Sequence, residues 1–359
     1  MKLLKKEIIH RYTSMLNDKV RNEFYYNALK KSAKDKVVID IGTGTGLLAA
    51  YALEHGAKFV YAVEGNRNSA NMAQNVLGKC FDQSRFKVIN TIFPCRQVKQ
   101  RYQKDMLKDI IKTKSIDLYV GELIGEDLFD QDQVDIWDEL NEYYFRDTVT
   151  AISIPEKLSA DVAIWNRHLT ITDHAGAYCS LQELDILASH SVNKLQELDI
   201  DAVLLPKFSD ALLNFDKELN SPITFDSVRE PSKELIHDGS WTSPSNLGWK
   251  ARRASWQDPR KIWESYDSSV PEPDKIITDV FGVTRDIVPD TISFSVDIEE
   301  SGDHTIAINN KLVFEDTSLH LKDAFLTWPN TCFYRVDSKG KYTFTRDLLN
   351  STSWSMKRE

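Results

Sequence analysis

Up to about Ile154 the chain switches repeatedly between short apolar runs and stretches with apolar residues at helical spacing. In the first 35 residues Leu16, Val20 and Phe24 recur on one helical face, as do Tyr25, Ala28 and Leu29, which predicts N-terminal helices. Val37 to Ile41 reads as a strand, Leu47 to Glu54 as a helix, and Phe59 to Val63 as a second strand ending in Glu64. Ser69 to Lys79 fits a second helix and Phe86 to Asn90 a third strand. Gln103 to Lys114 fits a further helix, and Asp117 to Val120 a fourth strand that ends near Glu122. This alternation predicts an α/β fold with a parallel, doubly wound sheet.

The pattern shifts at Ile154-Pro155. Leu158 to Trp165, Thr291 to Ile298, His304 to Ile308 and Cys332 to Val336 are rich in β-branched and aromatic residues. Turn signals separate them, such as Glu300-Ser301-Gly302-Asp303 and Asp337-Ser338-Lys339-Gly340. An antiparallel β domain, sandwich or barrel, is expected, interrupted by a helical insertion around 180–219 that reads as a dimerisation arm or a lid. The tail from Ser351 to Glu359 is expected to be loose. The expected division is N-terminal helices over 1–35, an α/β domain over 36–155 and a β domain over 156–359.

A chain of 359 residues is long enough for two domains with cores of their own. No run approaches twenty apolar residues, so no membrane span is expected. The first residues lack a signal-peptide core, and the four cysteines are scattered without a C-x-x-C pair, which points to reduced thiols and a cytoplasmic setting. The eight histidines show no metal-ligand spacing, so no metal site is expected. A net charge of −9 argues against nucleic-acid binding and is compatible with a cationic substrate.

The most informative stretch is Asp40-Ile41-Gly42-Thr43-Gly44-Thr45-Gly46-Leu47. A strand that runs through alternating glycines into a helix start lets backbone approach a ligand and offers it unpaired N–H groups. Glu64, at the tip of the second strand, stands where a ribose diol is held. Gly44, Gly46 and Ala49 also satisfy a dinucleotide fingerprint. Asp40 favours S-adenosyl-L-methionine, because a carboxylate there suits a cationic sulfonium and amino group but repels a pyrophosphate. Its other reading is a buried acid that ties the turn together through hydrogen bonds.

Four motifs in order resemble the protein arginine methyltransferases. Met15-Leu16-Asn17-Asp18-Lys19-Val20-Arg21, followed by Tyr25 and Tyr26, resembles the family's M-L-x-D-x-x-R helix. Asp40 through Gly46 with Glu64 is similar to its cofactor motif, and Gly121-Glu122-Leu123-Ile124-Gly125 to the opening of its double-glutamate loop. Thr327-Trp328-Pro329-Asn330 and the strand after it resemble the T-H-W loop of its barrel domain. Leu16-Asn17-Asp18-Lys19 and Glu122-Leu123-Ile124-Gly125-Glu126 resemble the monomethylating type III branch in wording.

The resemblance implies a Rossmann-like class I methyltransferase domain followed by a β-barrel domain with a dimerisation arm. It implies a homodimer, or a heteromer with an active paralogue. Met15, Arg21, Asp40, Gly42, Gly44, Gly46, Leu47 and Glu64 would bind S-adenosyl-L-methionine, with Arg21 on its carboxylate. Glu122, Gln131 and Trp328 would form the catalytic set acting on arginine in a protein or on a small guanidino compound. A guanidinium is a poor nucleophile, so carboxylates must hold it, localise its charge away from the attacking nitrogen and aim that nitrogen. The chain departs from the family where Gln131 replaces the second glutamate and Thr327 the histidine. A neutral hydrogen bond in place of a charged one would cost about 1–3 kcal/mol. Asp130 or Asp132 could supply the missing charge after a one-residue shift. A catalytically weak paralogue that regulates an active partner fits the same departures.

Overall fold

Strand Val37–Ile41 (β1) is apolar on both faces apart from Asp40, and it lies at the centre of a five-stranded parallel sheet. The sheet runs in the order Phe86–Asn90 (β3), Phe59–Glu64 (β2), β1, Leu118–Gly121 (β4) and Ile152–Ile154 (β5). Parallel strands of this kind are buried because crossover helices cover them. The computed structural model describes residues 12, 15–16, 18–93, 116–124, 128–129, 133–143, 151–168, 205–218, 272–321, 331–348 and 354–359.

Helices Leu47–Glu54 and Arg67–Cys80 follow β1 and β2. Helix Arg67–Cys80 starts two residues ahead of expectation because the Asn66 side chain accepts from the backbone of Asn68 and Ser69 at 2.9 and 3.2 Å, an N-cap. The N-terminal helix, Lys19–Ser32, is capped by Asp18, which accepts from the Arg21 amide at 3.0 Å. That cap corrects one expectation. A new helix starts after Asp18, so the spacing from Leu16 does not run through, and Val20 is 42% exposed while Phe24 is buried.

Lys157–Trp165 (β6) pairs antiparallel with Lys275–Ile277 (β7), Gly282–Thr284 (β8) and the long strand His304–Phe314 (β10). β10 also pairs with Thr317–His320 (β11) and Thr331–Val336 (β12). A second antiparallel sheet joins Thr291–Ile298 (β9), Gly340–Asp347 (β13) and Ser355–Arg358 (β14). In β9 Ile292, Phe294, Val296 and Ile298 are buried and alternate with exposed residues, as one covered face requires. Phe294 stacks on Phe344 at 5.2 Å, and Tyr334 of the first sheet meets Phe344 edge-on at 4.9 Å, which joins the two sheets.

β14 corrects the expectation of a loose tail: Ser355 to Arg358 pair with Tyr342 to Thr345, and Trp354 is buried ahead of them. Of the expected insertion, Pro206–Glu218 is a helix that buries Phe208, Ala211 and Leu212 and packs against helix Arg67–Cys80, where the Cys80 thiol donates to the Lys207 carbonyl at 3.4 Å. The rest of that insertion and the expected helix over 103–114 lie outside the described residues. Among the described residues no helix is long and apolar enough to cross a membrane.

Candidate active site

Three strands end level. Ile41 is in register with Val63 of β2 on one side and Gly121 of β4 on the other. The strand order reverses between β1 and β4, and open sheets bind ligands at the carboxyl ends of the strands beside such a reversal. The chain leaves this edge at Gly42, Glu64 and Glu122, so the register alone assembles the candidate residues.

The turn after β1 is built on backbone that favours glycine. Gly44 has φ +54°, and a Cβ on it would meet the Tyr12 ring at 2.8 Å. The Tyr12 hydroxyl in turn donates to Ser69 Oγ at 3.1 Å, so this ring lies over the turn. The Gly44 amide donates to Glu64 Oε2 at 2.9 Å, and the Asn66 amide to Glu64 Oε1 at 2.7 Å. Each Glu64 oxygen keeps a lone pair for a hydroxyl.

Asp40 is fully buried. Its Oδ2 accepts from Thr43 Oγ1 and from the Ala49 amide, the latter at 3.0 Å, which ties the turn to the first turn of helix Leu47–Glu54. Its Oδ1 is buried without a partner. Burial pushes this carboxyl up to about 7, against the pull of Thr43 and Ala49, and the nearby Glu64 adds to the rise. These residues fit a cation-bearing nucleoside cofactor: the glycines leave space, Glu64 faces the turn, and Asp40 holds an unsatisfied acceptor.

Arg21 and Glu122 come from elements 101 residues apart and form a buried pair. Arg21 donates from Nε at 2.9 Å and from Nη2 at 2.7 Å, both to Glu122 Oε2, with side chains 4% and 7% exposed. Arg21 Nη1 donates to Asn22 Oδ1 at 2.8 Å, and the guanidinium lies 5.4 Å from the Tyr25 ring centroid. Burial lowers the Arg21 pKa, but Glu122, Tyr25 and Asp18 together outweigh it, so the net shift is upward and the guanidinium stays charged. Burial also raises Glu122, which Arg21 opposes. Both Arg21 bonds fall on Oε2, so Oε1 is the oxygen available to a second guanidinium.

The backbone just before Glu122 is clamped. The Tyr25 hydroxyl donates to the Gly121 carbonyl at 3.3 Å, and the Tyr119 hydroxyl donates to Gln133 Oε1 at 3.0 Å. A Cβ on Gly121 would collide with the Tyr119 hydroxyl. Gly121→Ala is therefore expected to destabilise the chain by about 1–3 kcal/mol in denaturant unfolding. In a Tyr119→Phe background that penalty should shrink. An equal penalty in both backgrounds would remove Tyr119 as its cause.

The structure thus brings Arg21, Asp40, Gly42, Gly44, Glu64 and Glu122 to one edge. Gly46 precedes helix Leu47–Glu54 with φ +89°, and Leu47, its first residue, is buried in the core. Met15 is half-buried, and its carbonyl accepts from Asn22 Nδ2 at 3.2 Å. Gln131, Thr327 and Trp328 lie outside the described residues. Sequence reasoning did not single out Tyr12, Tyr119 or Gln133. Tyr119 reads as one more apolar strand position; its signal is the glycine two residues on, at the strand end, where β-formers are otherwise favoured. Among the described residues no group of three or more His, Cys, Asp or Glu side chains could hold a metal ion.

No family model matches the chain. Protein arginine N-methyltransferase 7 of Gallus gallus is 41% identical over 87 residues, covering 22% of this chain and 13% of that protein. Protein arginine N-methyltransferase 7 of Danio rerio is 34% identical over 128 residues, covering 32% of this chain and 17% of that protein. The matched stretches thus span less than a fifth of either relative. The crystal structure of PRMT6-SAH superposes with a TM-score of 0.54, covering 96% of this chain and 98% of that one at 12% identity, a likeness of fold.

Proposed function

We propose that this chain, related in sequence and fold to the protein arginine N-methyltransferases, is an S-adenosylmethionine-dependent methyltransferase acting on the guanidino group of arginine in a protein or peptide. The observation that carries the reading is the placement of Glu122. It leaves β4 in register with the glycine turn, is buried, and keeps Oε1 available beside a fixed Arg21. A charged donor–acceptor pair in a water-poor site is worth far more than at a surface.

The cofactor would supply an electrophilic methyl carbon on a sulfonium. Glu64 would take its ribose, Arg21 its carboxylate, and the Gly44–Gly46 backbone would approach it closely. Glu122 would hold the substrate guanidinium, draw charge toward the held nitrogens and leave the remaining nitrogen to attack. Gln131, or the neighbouring Asp130 or Asp132, would take the place of a second carboxylate. We propose a homodimeric, cytoplasmic protein, on the resemblance and the cysteine usage.

Calorimetry with S-adenosylmethionine, then turnover with an arginine-rich peptide and with free arginine, tests the reading. Binding is expected, with turnover of the peptide. Absence of cofactor binding overturns it. Binding without turnover on any guanidine would favour the regulatory reading that Gln131 and Thr327 suggest.

A further inference from the structure

Arg346 lies on β13, in the β domain, and is 1% exposed. A guanidinium that deep is costly unless charge or an aromatic face meets it. Its Cζ sits 5.2 Å from the centroid of Phe129, within cation–π range. Phe129 belongs to the segment that follows β4, the one that begins with Glu122. Its ring also lies 6.0 Å from Phe281, which lies 5.5 Å from Trp354, and Leu128 beside it is fully buried. The middle of this segment is therefore seated on the β domain.

The segment has an electrostatic problem of its own. It carries Glu122, Glu126, Asp127, Asp130 and Asp132. Five acids within the eleven residues 122–132 repel one another. Arg21 answers Glu122 at one end. Arg346 places a second buried cation against the middle.

We propose that Arg346 is a positioning residue: by stacking on Phe129 it holds the acidic segment after β4 on the β domain, which fixes the approach of a substrate to Glu122. The catalytic part of this inference rests on the methyltransferase reading; the anchoring part does not. The β domain then acts on the reaction through the loop it seats, without contributing a reacting group.

Hydrogen–deuterium exchange on the full chain tests the anchoring without needing turnover. Arg346→Met keeps bulk and removes charge; exchange across 122–132 should rise about tenfold, the scale of a lost desolvated cation–π contact. Arg346→Lys, which keeps the charge, should exchange less than the Met variant. Turnover of the arginine-rich peptide should fall about tenfold in Arg346→Met, with S-adenosylmethionine affinity unchanged, and partly return in Arg346→Lys. If Arg346→Met does not fold, Phe129→Leu, which removes the ring alone, should raise exchange in the same segment. Unchanged exchange over 122–132 in either folded variant overturns the proposal. A wild-type chain that shows the anchoring but no turnover would instead count against the methyltransferase reading.

Discussion

Glu122→Gln is expected to lower turnover about 10²–10³-fold while leaving S-adenosylmethionine binding no weaker. The magnitude is that of removing one preorganised electrostatic partner from a buried reacting site. Glutamine keeps an acceptor oxygen and the side-chain shape, so what is lost is the charge opposite the substrate guanidinium. Cofactor affinity should hold because the glutamine oxygen still accepts from the Arg21 donors now aimed at Glu122 Oε2, and as a neutral acceptor it competes less with a ligand carboxylate for them. The same change exposes the cost of the pair. Arg21 is 4% exposed, and a buried charge that loses its partner typically costs about 3–5 kcal/mol, less here because the amide still accepts. The Arg21→Met, Glu122→Gln double variant should recover part of that stability, although it cannot turn over. Single-turnover rates, calorimetry and denaturant unfolding separate these effects. Turnover within threefold of wild type, on the order of 0.7 kcal/mol, would remove Glu122 from the site.

Much of this edge is legible in the sequence, for reasons that differ between its parts. β1, β2 and β4 are short apolar runs with a fixed period, and their common end follows from parallel register once the strands are placed. Gly44 and Gly46 are legible because only glycine readily adopts their φ of +54° and +89°. Contacts that depend on tertiary approach are not legible. Nothing local in Arg346 marks it as buried, since arginine on a strand usually faces water. Its partner Phe129 lies far away in the chain. Val20 shows the opposite failure, a helical spacing that the Asp18 cap interrupts. β14 is not legible either, because Ser-Met-Lys-Arg carries no hydrophobic alternation; its pairing with β13, not burial, makes it a strand.

Between about pH 4 and pH 8 the wild-type chain is expected to lose about 4 kcal/mol of stability relative to Asp40→Asn. The sign follows from the direction of the shift. Burial raises the folded-state carboxyl to about 7 from an unfolded value of 3.8, so between those values the folded chain holds a proton that the unfolded chain has released. Stability then falls as pH rises through this window and levels off above it. Asparagine keeps an oxygen for Thr43 and Ala49 but has nothing to ionise, so the pH-dependent difference between the two proteins isolates Asp40. Denaturant unfolding across that range measures it, and parallel curves would mean that Asp40 titrates normally. The same proton reports on function. A ligand cation beside the unpartnered Oδ1 would favour the ionised form. Binding of S-adenosylmethionine near pH 6.5 should then expel a fraction of a proton, visible as a binding enthalpy that changes with the ionisation enthalpy of the buffer. Asparagine at position 40 should abolish that dependence. A pH-dependent stability without proton release would assign Asp40 to the turn alone, and the methyl donor's positive charge would then have to be met elsewhere on the edge, where Glu64 accepts from the Gly44 amide.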